Sequence, residues 1–139
     1  MEKAKIVVDA SIIAKWFLIE KYSDEALKVR NDYIKGLIEI AVPSLLEYEV
    51  LNALKYSGVY TTEELKKIGQ ALNNYNLTTH QLQGELKQHT IEIAEENNIT
   101  IYDASYIALA EKLKTKLYTA DEELITKFPN TATHIKQYT

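Results

Sequence analysis

Short apolar runs alternate along the chain with longer stretches in which apolar residues return every three or four positions. Ile6-Val7-Val8 predicts a buried strand, and the segment 11–18 predicts a helix. A second helix, 23–35, has Ser23 placed as its N-cap and Gly36 at its end. Residues 37–42 predict a strand. Pro43 then stands where proline favours a helix start, and a helix over 44–56 follows, closed by Gly58. Thr61-x-x-Glu64 is a capping box that opens a helix reaching about Tyr75. Residues 76–84 carry neither period and read as a loop, whereas Leu86, Ile91 and Ala94 space a helix over 85–97. Beyond it the pattern predicts strand 99–101, helix 103–113, strand 116–119, helix 120–127 and strand 133–136. Strand and helix alternate throughout, which is the signature of βαβ units around a parallel sheet of about five short strands.

Length and composition narrow this further. The 139 residues accommodate one compact domain, 1–139, with no linker, repeat or low-complexity tract. Hydrophobic residues make up 46% and charged residues 26%, values of a globular chain. The chain has no cysteine, which excludes a disulfide framework, a thiolate zinc site and a thiol nucleophile. A net charge of -4, with Arg30 as the one arginine, excludes bulk electrostatic clamping of nucleic acid as the main activity. It leaves room for a nuclease whose site is acidic because it holds metal. The first residues lead into three apolar positions only, and no run approaches the ~18 apolar residues of a membrane span, so a soluble cytoplasmic protein is expected.

The aspartates are few and unevenly placed. Asp24 and Asp32 lie in a polar helical stretch and read as solvated. Asp9, Asp103 and Asp121 each stand where a predicted strand gives way to a predicted helix. In a parallel sheet all such junctions share one edge, the edge at which open α/β folds hold ligands. Glu47 lies one turn into the helix after Pro43; Val50, Leu51 and Leu54 follow it at i+3, i+4 and i+7, so it is expected to end an apolar stripe near the same edge. Glu49, two residues on, is expected to point elsewhere. An aspartate at a strand–helix junction is also an ordinary N-cap, worth about 1 kcal/mol. Convergence has a different energetic consequence: two carboxylates ~5 Å apart repel by roughly 3 kcal/mol at an effective dielectric near 20. Four at one edge favour protonation or a bound cation. Oxygen donors without cysteine or paired histidine select a hard ion, Mg²⁺ or Mn²⁺, and such an ion suits phosphodiester hydrolysis.

Four segments then combine into a resemblance. Val7-Val8-Asp9-Ala10-Ser11, the stretch from Pro43 to Leu54, Tyr102-Asp103-Ala104-Ser105-Tyr106-Ile107-Ala108-Leu109-Ala110, and Tyr118-Thr119-Ala120-Asp121-Glu122-Glu123-Leu124 resemble PIN-domain proteins, and within them the VapC-type toxins of prokaryotic toxin–antitoxin pairs. The resemblance runs from about Ile6 to Leu124. It implies a three-layer α/β/α fold and a metal-dependent endoribonuclease. It implies that Asp9, Glu47, Asp103 and Asp121 hold Mg²⁺ or Mn²⁺, with Ser11 and Thr119 as supporting hydroxyls. Its implied partners are an RNA substrate, a small cognate antitoxin and a second copy of the chain.

Two other readings compete. A receiver-type phosphoacceptor domain needs adjacent acids after the first strand, and Asp9 is flanked by Val8 and Ala10. A non-catalytic PIN-like binding module would not need the full acid set. His80, His89 and His134 lack ligand spacing and read as surface or structural. Trp16 and Phe17 are expected in the core or at a subunit contact, and Tyr102, beside Asp103, is the aromatic best placed to meet a base. No glycine-rich phosphate loop is present.

Overall fold

The computed structural model describes residues 3–139. Five strands, β1 (Ala4–Val8), β2 (Ile38–Pro43), β3 (Thr78–His80), β4 (Leu117–Thr119) and β5 (Ala132–His134), form one sheet in the order β3-β2-β1-β4-β5. Every pairing is parallel. The helices are α1 (Ala10–Ala14), α2 (Ser23–Ile34), α3 (Leu46–Ser57), α4 (Thr62–Tyr75), α5 (Gly84–Asn97), α6 (Ile101–Leu113) and α7 (Glu122–Lys127), followed by a 3₁₀ turn at Ile135–Gln137.

Successive residues of a strand face opposite sides of the sheet. Val7 and Val8, and Ala41 and Val42, are all fully buried, so both faces are covered and the architecture is three-layer α/β/α. The helix α6 packs on β1 and β2 and is itself covered by α5; Ala104 through Ala110 are buried without interruption, as expected of a helix enclosed on all sides. Trp16 belongs to the core: its Nε1 donates to the Ala26 carbonyl at 2.8 Å, and its ring meets Tyr75 edge-on at 5.0 Å.

The third strand is displaced from the expected position. Residues 99–101 form no strand. The helix α5 ends at Asn98 in the left-handed region (φ 52°), and Thr100 caps α6 by accepting the Asp103 N–H at 3.0 Å. Asn98, Ile99 and Thr100 are all that separates the two helices, too little chain for a strand. The strand lies instead in the segment expected to be a loop. Thr78-Thr79-His80 carries no apolar run because it is the sheet's edge, where polar residues face solvent while the β-branched threonines still suit the extended backbone. Several boundaries also move; the first helix, expected over 11–18, ends at Ala14. Pro43 ends β2, so the following helix begins at Leu46, and the strand expected over 133–136 ends at His134. Asp32 is half-buried and accepts from the Tyr138 hydroxyl at 2.7 Å, which corrects its reading as a solvated group.

The strand order has one functional consequence. The chain passes from β1 to β2 on one side of the sheet and later returns to place β4 on the other side of β1. The carboxyl ends of β1 and β4 therefore flank the point where the winding reverses, which is where open α/β sheets leave a crevice.

Candidate active site

Asp9 is the first residue after β1, and its N–H donates to the Tyr118 carbonyl of β4 at 3.4 Å. The extended backbone of Asp9 makes it the N-cap of α1, with Oδ1 accepting the Ile12 N–H at 3.3 Å. The Ser11 hydroxyl donates to the same oxygen at 2.6 Å, and the Thr119 hydroxyl donates to Oδ2. The residue is half-buried at the cleft wall. Desolvation pushes its pKa above the ordinary carboxylate value, and the Ser11, Thr119 and Ile12 donors and the Lys15 ammonium act in the opposite direction.

Thr119, at the end of β4 and fully buried, serves two groups at once. It donates to Asp9 and accepts the Asp121 N–H at 3.0 Å. Asp121 caps α7, accepting the N–H groups of Glu123 at 2.9 Å and Leu124 at 3.3 Å. The capping and site readings of these aspartates thus coexist: the caps orient Asp9 and Asp121 at one rim. Asp103 reaches that rim from the first turn of α6 and not from a strand–helix junction.

An open cleft of about 380 Å³ is lined by Asp9, Ser11, Lys15, Glu49, Asp103, Tyr106 and Asp121. Glu47 is not among its walls. Its exposed side chain lines a separate cavity with Ser44, Leu72, Asn73 and Asn76, between α3 and α4. The acid that α3 contributes to the cleft is Glu49, which the sequence pattern set aside. Leu46, Val50 and Leu54 form the buried stripe of α3, and Glu47 and Glu49 flank it on opposite sides. Glu49 Oε1 accepts from the Tyr106 hydroxyl at 2.7 Å. Tyr106 follows Asp103 by three residues, a spacing that places both on one helix face and could have marked it from sequence.

The acids of the cluster act on one another electrostatically. Burial raises the pKa of Asp103, and the neighbouring charges of Asp121 and Asp9 raise it further. Burial likewise raises that of Glu49, against the Tyr106 hydrogen bond and with repulsion from Asp103 and Asp9. Lys15 is the basic group in the cleft wall; it is buried, with Nζ 3.3 Å from Glu20. Among the described residues no three acidic or histidine side chains are already gathered as a ready-made metal cage. The donor set nevertheless fits a hard divalent ion: carboxylate oxygens only, mutually repelling, in a cleft open enough for retained waters. The histidines stay outside: His89 pairs with Glu111 at 2.7 Å on the surface, and His134 is buried beneath Tyr22.

A family model for the PIN domain matches residues 6–129. The chain belongs to the PIN domain family. That membership sets the receiver-type reading aside. This PIN domain is 34% identical over 130 residues to Ribonuclease VapC3 of Pyrobaculum aerophilum, covering 90% of the chain and 95% of that relative. Among solved structures, it matches PAE2754 from Pyrobaculum aerophilum at 28% identity and a TM-score of 0.62, covering 97% of this chain and 93% of that one. A toxin–antitoxin complex from Klebsiella pneumoniae shares the fold, with a TM-score of 0.69 at 16% identity over 92% of this chain and 96% of that one. Among the described residues of the PIN domain, no helix is long and apolar enough to cross a membrane.

Proposed function

We propose that this PIN domain is a divalent-metal-dependent endoribonuclease, the toxin of a VapBC-type pair, with Asp9, Glu49, Asp103 and Asp121 as its acidic centre. The observation that carries the reading is the convergence of these four carboxylates, from β1, α3, α6 and the β4–α7 junction, on one cleft at the sheet's switch point. The 34% identity to Ribonuclease VapC3 over nearly the whole of both chains supports the reaction class.

Mg²⁺ or Mn²⁺ bound there would neutralise the acids and supply the polarisation of phosphate and water that phosphodiester hydrolysis requires. The chain's own residues do the rest. Ser11 and Thr119 fix both oxygens of Asp9, so the carboxylate nearest the switch point cannot rotate. Asp103 and Asp121 face it across the cleft and remain acceptors for a cation. Glu49 adds the fourth charge. Lys15 lies in the wall, where an ammonium favours an anionic phosphate entering an otherwise acidic cleft. Tyr102, 60% exposed beside Asp103, offers a ring to an adjoining base. Outside the cell-free reaction, the partners of this reading are RNA, a small antitoxin and a second copy of the chain. They follow from the VapC-type motifs together with the identity to VapC3.

The test is cleavage of RNA by purified protein with Mn²⁺ or Mg²⁺. Wild type is expected to cut, and Asp9→Asn to fold and be inactive; full activity of that variant would overturn the role of Asp9. Expression of wild type alone is expected to arrest growth, and co-expression with the product of the neighbouring small reading frame to relieve the arrest. Harmless expression of folded wild type, with no cleavage in vitro, would favour the non-catalytic binding module.

A further inference from the structure

Tyr106 is 2% exposed, among the largest fully enclosed side chains of the molecule, yet its hydroxyl is not lost in the core. It emerges at the cleft wall and donates to Glu49 Oε1 at 2.7 Å. A phenol buried this deeply needs a partner for its O–H. The partner it has is a carboxylate 57 positions away in sequence, on a different helix. With Glu49 ionised, the bond is charge-assisted, the stronger kind.

The two ends of this bond differ in freedom. Tyr106 is locked by packing inside the enclosed helix α6. Glu49 is half-buried on α3, and a glutamate left to itself loses rotamer entropy when fixed in one orientation. Two of the other acids of the cleft have backbone or hydroxyl donors from their own helix caps to orient them: Asp9 has Ile12 and Ser11, and Asp121 has Glu123 and Leu124. Glu49 stands in the first turn of α3 without a cap role, and Tyr106 supplies what the caps supply for Asp9 and Asp121.

We propose that Tyr106 is a positioning residue of the nuclease centre: its hydroxyl engages one oxygen of Glu49 and leaves the other turned to the cation that Asp9, Asp103 and Asp121 also face. The proposal rests on the metal-dependent reading given above and adds a specific residue to it. Donors that orient metal-binding carboxylates from behind typically govern affinity by about 10–100-fold.

The experiment is a Mn²⁺ titration of the purified protein without RNA, by calorimetry or by the paramagnetic signal of free Mn²⁺, on wild type, Tyr106→Phe, Glu49→Gln and the double variant. Tyr106→Phe keeps the ring and its packing. It is expected to weaken Mn²⁺ binding about 10–100-fold, to lower kcat for RNA cleavage and to leave KM for RNA unchanged. In the Glu49→Gln background it is expected to have no further effect on Mn²⁺ affinity, because the group it positions is gone. A merely structural role would persist in that background. Glu49→Asp provides a second route that leaves the core intact: the shortened side chain withdraws from the phenol, and Mn²⁺ affinity is expected to fall as in Tyr106→Phe. Wild-type Mn²⁺ affinity in Tyr106→Phe, or losses that add in full in the double variant, would overturn the proposal. Absence of Asp9-dependent Mn²⁺ binding in wild type would instead overturn the metal-dependent reading itself, and the two failures are thereby distinct.

Discussion

Thr119 shows how much one residue can carry. It is fully buried, donates to Asp9 and accepts from the Asp121 backbone, joining two acids that arrive from different strands. Thr119→Val keeps the shape and removes both bonds. Leaving a buried carboxylate and a backbone N–H short of a partner is expected to cost about 1–3 kcal/mol in denaturant unfolding, with a parallel loss of RNA cleavage. Asp103 gives the opposite sign. Burial and the charges of Asp121 and Asp9 make its ionised form unfavourable in the folded protein. Asp103→Asn removes that repulsion, so without divalent ions the variant is expected to melt at a higher temperature than wild type, while cleavage falls about 100-fold or more. A lower melting temperature in the presence of a chelator would contradict the electrostatic account of the cleft. At this scale three of the four cleft acids are legible from sequence, because strands and caps announce Asp9 and Asp121, and Asp103 opens a strongly apolar helix. Glu49 is not. Glu47 and Glu49 both border the stripe Leu46, Val50 and Leu54, and hydropathy does not say which border faces the sheet edge. That depends on how α3 is rotated against α1, a tertiary fact.

Among the elements, the short strands explain both what the pattern reveals and what it hides. β1 and β2 are central, and their inner stretches, residues 6–8 and 40–42, are buried on both faces and read as short apolar runs. β3 is a polar edge and is invisible to the same reasoning, while Ile99 and Ile101, apolar and β-branched, imitate a strand and instead bracket a helix cap. The cap makes a prediction: Thr100→Ala is expected to destabilise the protein by about 1 kcal/mol by releasing the Asp103 N–H at the start of α6. At the other edge, His134 ends β5. Its Nδ1 accepts the Lys136 N–H at 3.0 Å, which places the proton on Nε2, 3.6 Å from Glu122; Lys21, Lys136 and Glu25 also act on the ring. Desolvation holds the His134 pKa below 6.5. The unfolded chain therefore takes up this proton first as pH falls. The stabilising contribution is fully present above pH 6.5 and is lost as pH drops through the folded-state value. His134→Asn keeps an acceptor for the cap and removes the titration. Its melting temperature is expected to fall less than that of wild type between pH 7.5 and pH 5.5, a range chosen to bracket the ordinary histidine value of about 6.5.

For the whole molecule, the fold brings four acids together on one cleft in a chain of net charge -4. Stability and function pull against each other in the cleft: the same convergence that penalises the metal-free protein creates affinity for a divalent ion. Binding to the folded state alone raises its stability by mass action, so Mn²⁺ is expected to raise the melting temperature of wild type and not that of Asp9→Asn. The homodimer implied by the VapC-type motifs is checked by light scattering, with twice the 15.9 kDa of one chain expected in solution. The alternation of strand and helix was enough to predict a parallel α/β sheet because it depends on local patterning. The composition of the cleft was only partly predictable, because it depends on the angle at which separately folded helices meet. The most direct measurement is Mn²⁺-dependent RNA cleavage by Glu49→Gln and Glu47→Gln side by side. Glu49→Gln is expected to lose about 100-fold or more while Glu47→Gln cleaves like wild type. Cleavage retained by Glu49→Gln, or lost on Glu47→Gln, would contradict the cleft described here as the catalytic centre.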